Sequence, residues 1–89
     1  MPKVSIPPPY RGPTQGEAEV KVEASTLLAC LDAVEARYPG FRAQVMTADG
    51  EIHRFVRLFV NGKLIDPARL DAAIAPNDEV RVLAAIAGG

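Results

Sequence analysis

Residues 54–65 read Arg54-Phe55-Val56-Arg57-Leu58-Phe59-Val60-Asn61-Gly62-Lys63-Leu64-Ile65. From Arg54 to Val60, the residues Val56, Leu58 and Val60 alternate with Phe55, Arg57 and Phe59. That is the period-2 pattern of a strand with two different faces. Asn61-Gly62 follows at once. Both residue types accept the positive φ that a two-residue hairpin turn requires, which makes the pair the strongest short hairpin signal. Lys63-Leu64-Ile65 is then a short return strand. A hairpin of this length is not stable alone, so the flanking sequence must supply a partner layer.

Upstream, Leu27, Leu31, Val34 and Tyr38 recur at helical spacing, with Ala24 and Leu28 beside that stripe. Asp32, Glu35, Ala36 and Arg37 take the opposite face, so the segment predicts an amphipathic helix of three to four turns. Ser25 and Thr26 are its N-cap candidates, and Pro39-Gly40 ends it. Phe41 to Met46 predicts a short irregular or helical turn, and Thr47 to Glu51 a loop around Asp49-Gly50. Further upstream, Ala18, Val20 and Val22 alternate with charged residues, and Val4 and Ile6 with Lys3 and Ser5. These predict two strands forming a hairpin. Residues 7–16 between them hold four prolines, Gly12 and Gly16 and read as a loop, because proline cannot donate to a ladder.

Downstream, Pro67 to Ile74 suits a tight turn or a short helix, and Pro76-Asn77-Asp78 a turn. Glu79 to Ile86 predicts the last strand, with Val80 and Val82 alternating with Arg81 and Leu83. The order is β-β-α-β-β-β. It predicts an α+β fold, a mixed sheet of four to five strands with one main helix packed on one face. Leu27, Leu31 and Val34 should face Val4, Ile6, Val20, Val56, Leu58, Val80 and Val82. No repeat or linker divides the chain, so residues 1–89 are expected to form a single domain, with 85–89 as a flexible C-terminal tail.

Composition narrows the function. Ten basic and eleven acidic residues give a net charge of −1, dispersed along the chain. That is no footprint for nucleic acid or an anionic membrane. Cys30 is the only cysteine and His53 the only histidine, too few for a zinc site or an internal disulfide. Neither a signal-like segment nor an apolar run near the length of a membrane span is visible, so a cytoplasmic protein is expected.

The last strand leads almost directly into Ala84-Ala85-Ile86-Ala87-Gly88-Gly89. From Ala85 onward, an extended chain reaches roughly 17 Å. Two terminal glycines carry no side chain to obstruct a narrow channel. A carboxylate on such a tether can enter another protein's active site, but it is unreactive until it is activated. Here the chain resembles the ThiS/MoaD family of ubiquitin-like sulfur carriers. The matching segments are His53 to Gly62, Asn77 to Val82, Ile86 to Gly89, and the helix Leu27 to Tyr38 followed by Pro39-Gly40-Phe41. Among subgroups, the His-Arg-Phe-Val stretch and the Ala-Gly-Gly ending look most like the CysO-type carriers of cysteine biosynthesis. Two features depart from the pattern: Ala84 and Ala85 stand where MoaD endings have prolines, and the Pro7-Pro8-Pro9-Tyr10 loop is unusual.

The resemblance implies a β-grasp fold and a working group at Gly89, with Gly88 as its tether. An activating enzyme related to ubiquitin-activating enzymes would use ATP to adenylate Gly89. A sulfur donor would convert the adenylate to a thiocarboxylate. The acceptor would be a PLP-dependent cysteine synthase, with a JAMM-type metalloprotease releasing the product. Alternatively, the chain is the small subunit of a molybdopterin synthase, its tail seated in the large subunit. A third possibility is a ubiquitin-like modifier conjugated through Gly89. In each case the chain is expected to bind no cofactor itself and to act as a protein cosubstrate or a non-catalytic subunit of a sulfurtransferase, not as an enzyme.

Phe55, Arg57, Phe59, Arg81 and Leu83 lie opposite the helix-facing side of their strands and are expected to dock the partner, with Ile86 and Ala87 as tether. The competing reading is that Phe41 to Ile52 covers them as a satellite core. Cys30, beside the apolar stripe, reads as a buried structural thiol. His53 reads as a strand-start residue bonding a backbone group. Pro7-Pro8-Pro9-Tyr10 matches the short pattern that WW domains bind as a polyproline helix, but reads better as a stiff hairpin loop. Lys3, Lys21 and Lys63 read as solvated charges.

Overall fold

The computed structural model describes residues 1–84. The Asn61-Gly62 hairpin forms as expected. Asn61 has φ 52° and Gly62 φ 82°, both in the left-handed region that a type I′ turn needs. The turn joins β3 (Val56–Val60) to β4 (Lys63–Ile65) in the register Val60↔Lys63, Phe59↔Leu64 and Leu58↔Ile65. β5 (Glu79–Ala84) lies antiparallel on the other side of β3. β1 (Lys3–Ser5) runs parallel to β5, and β2 (Glu19–Lys21) antiparallel to β1. The result is one mixed five-stranded sheet, ordered β2-β1-β5-β3-β4.

Helix α1 (Leu27–Arg37) begins at Thr26, whose hydroxyl accepts a hydrogen bond from the Ala29 amide at 3.1 Å. It turns Leu27, Cys30, Leu31 and Val34 into the core. These residues form one cluster with Val4, Ile6, Val20, Val56, Leu58, Val80 and Val82, as the alternation predicts. The Phe41 to Met46 segment takes the helical option as α2 (Phe41–Val45) and adds Phe41 and Val45 to the same core. Gly40, at φ 105°, makes the sharp connection between the helices. The Glu35 carboxylate accepts hydrogen bonds from the Gly40 and Arg42 amides at 3.2 and 2.8 Å, closing the start of α2.

Two segments differ in detail from the sequence pattern, and a third takes one of its two expected forms. β2 has regular pairing only over Glu19–Lys21: at one end Val22 donates to the Pro2 carbonyl at 3.0 Å but Pro2 has no N–H to return the bond, and at the other Ile6 donates to the Ala18 carbonyl at 2.7 Å while its own carbonyl accepts from Arg11 Nε. Arg54 and Phe55 are not in a strand. They form a turn closed by the Val56 amide on the His53 carbonyl at 2.9 Å, and β3 starts at Val56. Pro67 to Ile74 takes the turn option of the two expected. The Leu28 and Leu27 amides donate to the Leu70 and Ala72 carbonyls at 2.9 and 3.0 Å. The segment thereby satisfies amides at the start of α1 that have no partner within the helix.

The proline-rich loop is tied down. Pro8–Tyr10 form a 3-10 turn, and Arg11 Nε donates to the Ile6 carbonyl at 2.9 Å. Thr14 is fully buried, its hydroxyl donating to the Glu17 carbonyl at 3.0 Å. The predicted continuation of the last strand to Ile86, and the tail 85–89, lie outside the described residues.

Candidate functional site

α1 and α2 both bury their apolar residues in one core, on the Val56, Leu58, Val80 and Val82 side of the sheet. The other face of β3, β4 and β5 carries Arg81, Phe59 and Leu64 side by side, through the pairs Phe59↔Arg81 and Phe59↔Leu64. The next row holds Leu83 opposite Arg57. Phe59 is half-buried, while Leu64 and Leu83 are 57% and 38% exposed. Phe55, in the adjoining turn, is 49% exposed, and the Arg54 guanidinium lies 4.9 Å from its ring centre. Phe41, Val45 and Met46 sit in the main core, so the 41–52 segment does not cover this patch as a satellite core. Exposed apolar side chains rimmed by charge are the anatomy of an interface.

The charged rim is partly committed within the molecule. Arg81 Nη2 lies 3.3 Å from a Glu79 carboxylate oxygen. Glu79 is also 3.4 Å from Lys3 Nζ, which pairs with Glu19 at 2.9 Å. Lys3 is therefore part of a charge ladder, and side-chain hydrogen bonds to Glu19 and Glu79 hold its ammonium above the ordinary range. The Arg57 guanidinium is turned back on its own backbone. It donates to the Arg54 carbonyl at 2.7 Å and the Val56 carbonyl at 3.2 Å.

β5 brings the chain to Ala84, opposite Val56 and one residue from the Phe55 turn. Ala84 therefore stands at the rim of the patch. Ile86, Ala87, Gly88 and Gly89 themselves lie outside the described residues. Two patch residues are not in the sequence-derived set. Leu64 was readable in principle, since a two-residue hairpin turn places it opposite Phe59. Arg54 gave no signal, because its stacking on Phe55 depends on the turn.

The remaining side chains offer no competing chemistry. Cys30 is fully buried, and burial pushes its thiol up to about 11, with the Asp78 charge adding to the rise. A neutral, enclosed thiol is a core residue, not a nucleophile. His53 donates its backbone amide to the Val45 carbonyl at 3.0 Å. No group of three His, Cys, Asp or Glu side chains that could hold a metal ion occurs among the described residues. Pro8–Tyr10 do not form the extended polyproline helix that WW domains read, and Tyr10 packs against the core. No helix among the described residues is long and apolar enough to cross a membrane.

The ThiS family model matches residues 9–89. The chain belongs to the ThiS family. Its ThiS-family relatives include the sulfur carrier protein CysO of Mycobacterium tuberculosis, 38% identical over 97% of this chain and 96% of the relative. The crystal structure of that CysO superposes with a TM-score of 0.88 over 97% of this chain and 100% of the other, at 35% identity. CysO in the Amycolatopsis orientalis BexX/CysO complex superposes with a TM-score of 0.90 over the whole of both chains, at 33% identity. Small archaeal modifier protein 1 of Haloferax volcanii shares the fold, with a TM-score of 0.83 at 23% identity, covering 99% of this chain and 98% of the other. The α+β architecture expected from the element order, and the β-grasp fold that the resemblance implied, are those of these relatives, and sulfur carriage is the family's class of function.

Proposed function

We propose that this protein carries sulfur as a thiocarboxylate on Gly89 and delivers it to cysteine biosynthesis in the cytoplasm, as a protein cosubstrate and not a catalyst. The observation that supports this best is the uncovered Phe59–Leu64–Leu83 face, which ends at Ala84, where the Gly-Gly tail begins. A carrier needs that combination of a docking surface on a rigid sheet and a slender reactive end extending from its edge.

The chemistry belongs to the partner enzymes. On an E1-like enzyme, a Gly89 carboxylate oxygen attacks the α-phosphorus of ATP and pyrophosphate leaves. Sulfide then attacks the acyl carbon of the adenylate, AMP leaves, and loss of the sulfur-bound proton gives the thiocarboxylate. The thiocarboxylate sulfur bonds to the β-carbon of an activated serine held by a PLP-dependent synthase as the serine's activating group leaves, and the carrier's acyl group then passes from that sulfur to the amine of the new cysteine. A metalloprotease of the JAMM type then frees the cysteine. In this scheme Phe55, Phe59, Leu83, Arg57 and Arg81 seat the carrier, and Ile86 and Ala87 span the channel. ATP binds the enzyme, not the carrier.

Intact-mass analysis after co-expression with the cognate activating enzyme and a sulfide source tests the proposal. The expected product has one oxygen replaced by sulfur, with the change located on Gly89. Deleting Gly88 and Gly89 should abolish loading while leaving the fold unchanged by circular dichroism. Adducts linked to lysine, or no change with a demonstrably active enzyme, would overturn it.

A further inference from the structure

We infer that Arg57 serves partner docking as a positioning residue, through the turn it clamps and not through its charge. This inference rests on the docking role proposed for the outer face. A basic residue at the rim of an apolar patch suggests a direct ion pair with the partner, but the geometry points elsewhere. The guanidinium Nη1 of Arg57 donates to the Arg54 carbonyl at 2.7 Å and the Val56 carbonyl at 3.2 Å. These carbonyls flank Phe55. The turn they belong to is closed by a backbone bond from the Val56 amide to the His53 carbonyl at 2.9 Å, and β5 pairs with the chain only from Val56 onward among the described residues. β4 ends at Ile65, opposite Leu58, so no ladder partner from β4 holds the chain at Val56 and Arg57. One side chain thus ties together the backbone on both sides of an exposed aromatic residue.

What the turn presents is the Phe55 ring, half exposed and stacked by Arg54 at 4.9 Å. It stands next to Val56, the residue opposite Ala84. Phe55 is therefore the aromatic side chain closest in register to the start of the tail. Holding an aromatic anchor in one orientation before association reduces the ordering needed on binding. The Arg57 bonds do this because their donor is charged and their acceptors are backbone groups, which fix main-chain and not merely side-chain geometry.

Two measurements decide between positioning and direct charge contact. In the free protein, hydrogen exchange of the Val56 amide should speed up in Arg57→Ala about three- to tenfold, the effect of losing one net hydrogen bond. With the E1-like enzyme of the same genome, carrier titration in the ATP–pyrophosphate exchange assay should give a KM raised about three- to tenfold for Arg57→Ala, with little change in kcat. Arg57→Glu should be no worse than Arg57→Ala, since both lose the same backbone bonds. Phe55→Ala should raise KM by itself, and the double variant Phe55→Ala/Arg57→Ala should be no worse than Phe55→Ala, because both act through one element.

The inference is overturned if Val56 exchange is unchanged in Arg57→Ala, if Arg57→Glu is far weaker than Arg57→Ala, or if the effects of Phe55→Ala and Arg57→Ala simply add. Failure of the underlying function looks different: the wild-type carrier would support no exchange at all with an enzyme active on another carrier.

Discussion

Asp78 and Asn61 tie the hairpin turn to the start of β5. Asp78 accepts from the Ala75 amide at 2.7 Å and from the Asn61 side-chain amide at 2.8 Å. Asn61 in turn accepts from the Glu79 amide at 2.9 Å. The backbone bond from Ala75 and the Asn61 amide hold the Asp78 carboxyl below its usual range. A depressed carboxyl stabilises the fold at pH values above its unfolded pKa, and that contribution disappears as pH falls through the folded one. Urea midpoints should therefore fall as pH drops below about 4, and Asp78→Asn should flatten part of that decline. Cys30 makes a second prediction. Its buried, neutral thiol should resist Ellman's reagent at pH 8 in the native protein and react at once in denaturant. The sequence stripe already marked Cys30 as a core thiol. Glu35 was not legible in the same way. On a helical wheel it reads as a solvated charge, and its capping of α2 depends on the chain reversal at Gly40.

At the scale of elements, caps and turn residues were the readable part. Ser25 and Thr26 competed for the α1 N-cap, and Thr26 takes it. Thr26→Ala should cost about 1 kcal/mol and lower Tm by roughly 4–8 °C in a domain of this size, measurable by thermal circular dichroism. Asn61-Gly62 announced both the turn and its register, since two-residue hairpins allow little else. Strand ends were less legible because they depend on the neighbour. β2 is limited at one end by Pro2, which has no N–H to give it, and β3 loses Arg54 and Phe55 to the turn closed by the Val56 amide on the His53 carbonyl. The 67–74 segment carried no pattern of its own. Its conformation answers a need elsewhere, the unpaired amides at the start of α1.

The whole molecule puts its core on one face of the sheet and the proposed docking patch on the other. Leu58 is buried with α1, while Leu83 on the neighbouring strand is 38% exposed. Leu58→Ala should destabilise the protein by about 2–5 kcal/mol in urea unfolding. Leu83→Glu should change stability by no more than about 0.5 kcal/mol yet block sulfur loading by the activating enzyme. This division was visible as alternation in β3 and β5. What the alternation left open was whether another segment covers the outer face, because coverage is a property of chain path. The parallel pair β1 and β5 has one further effect. Lys3, Val4 and Ser5 face Glu79, Val80 and Arg81 at the centre of the sheet, and the two strands run the same way. A force drawing the tail away while the other end is held would load these rungs together, in shear, instead of peeling them one by one. Tension between the two ends of the chain would thus meet the sheet along its most resistant direction.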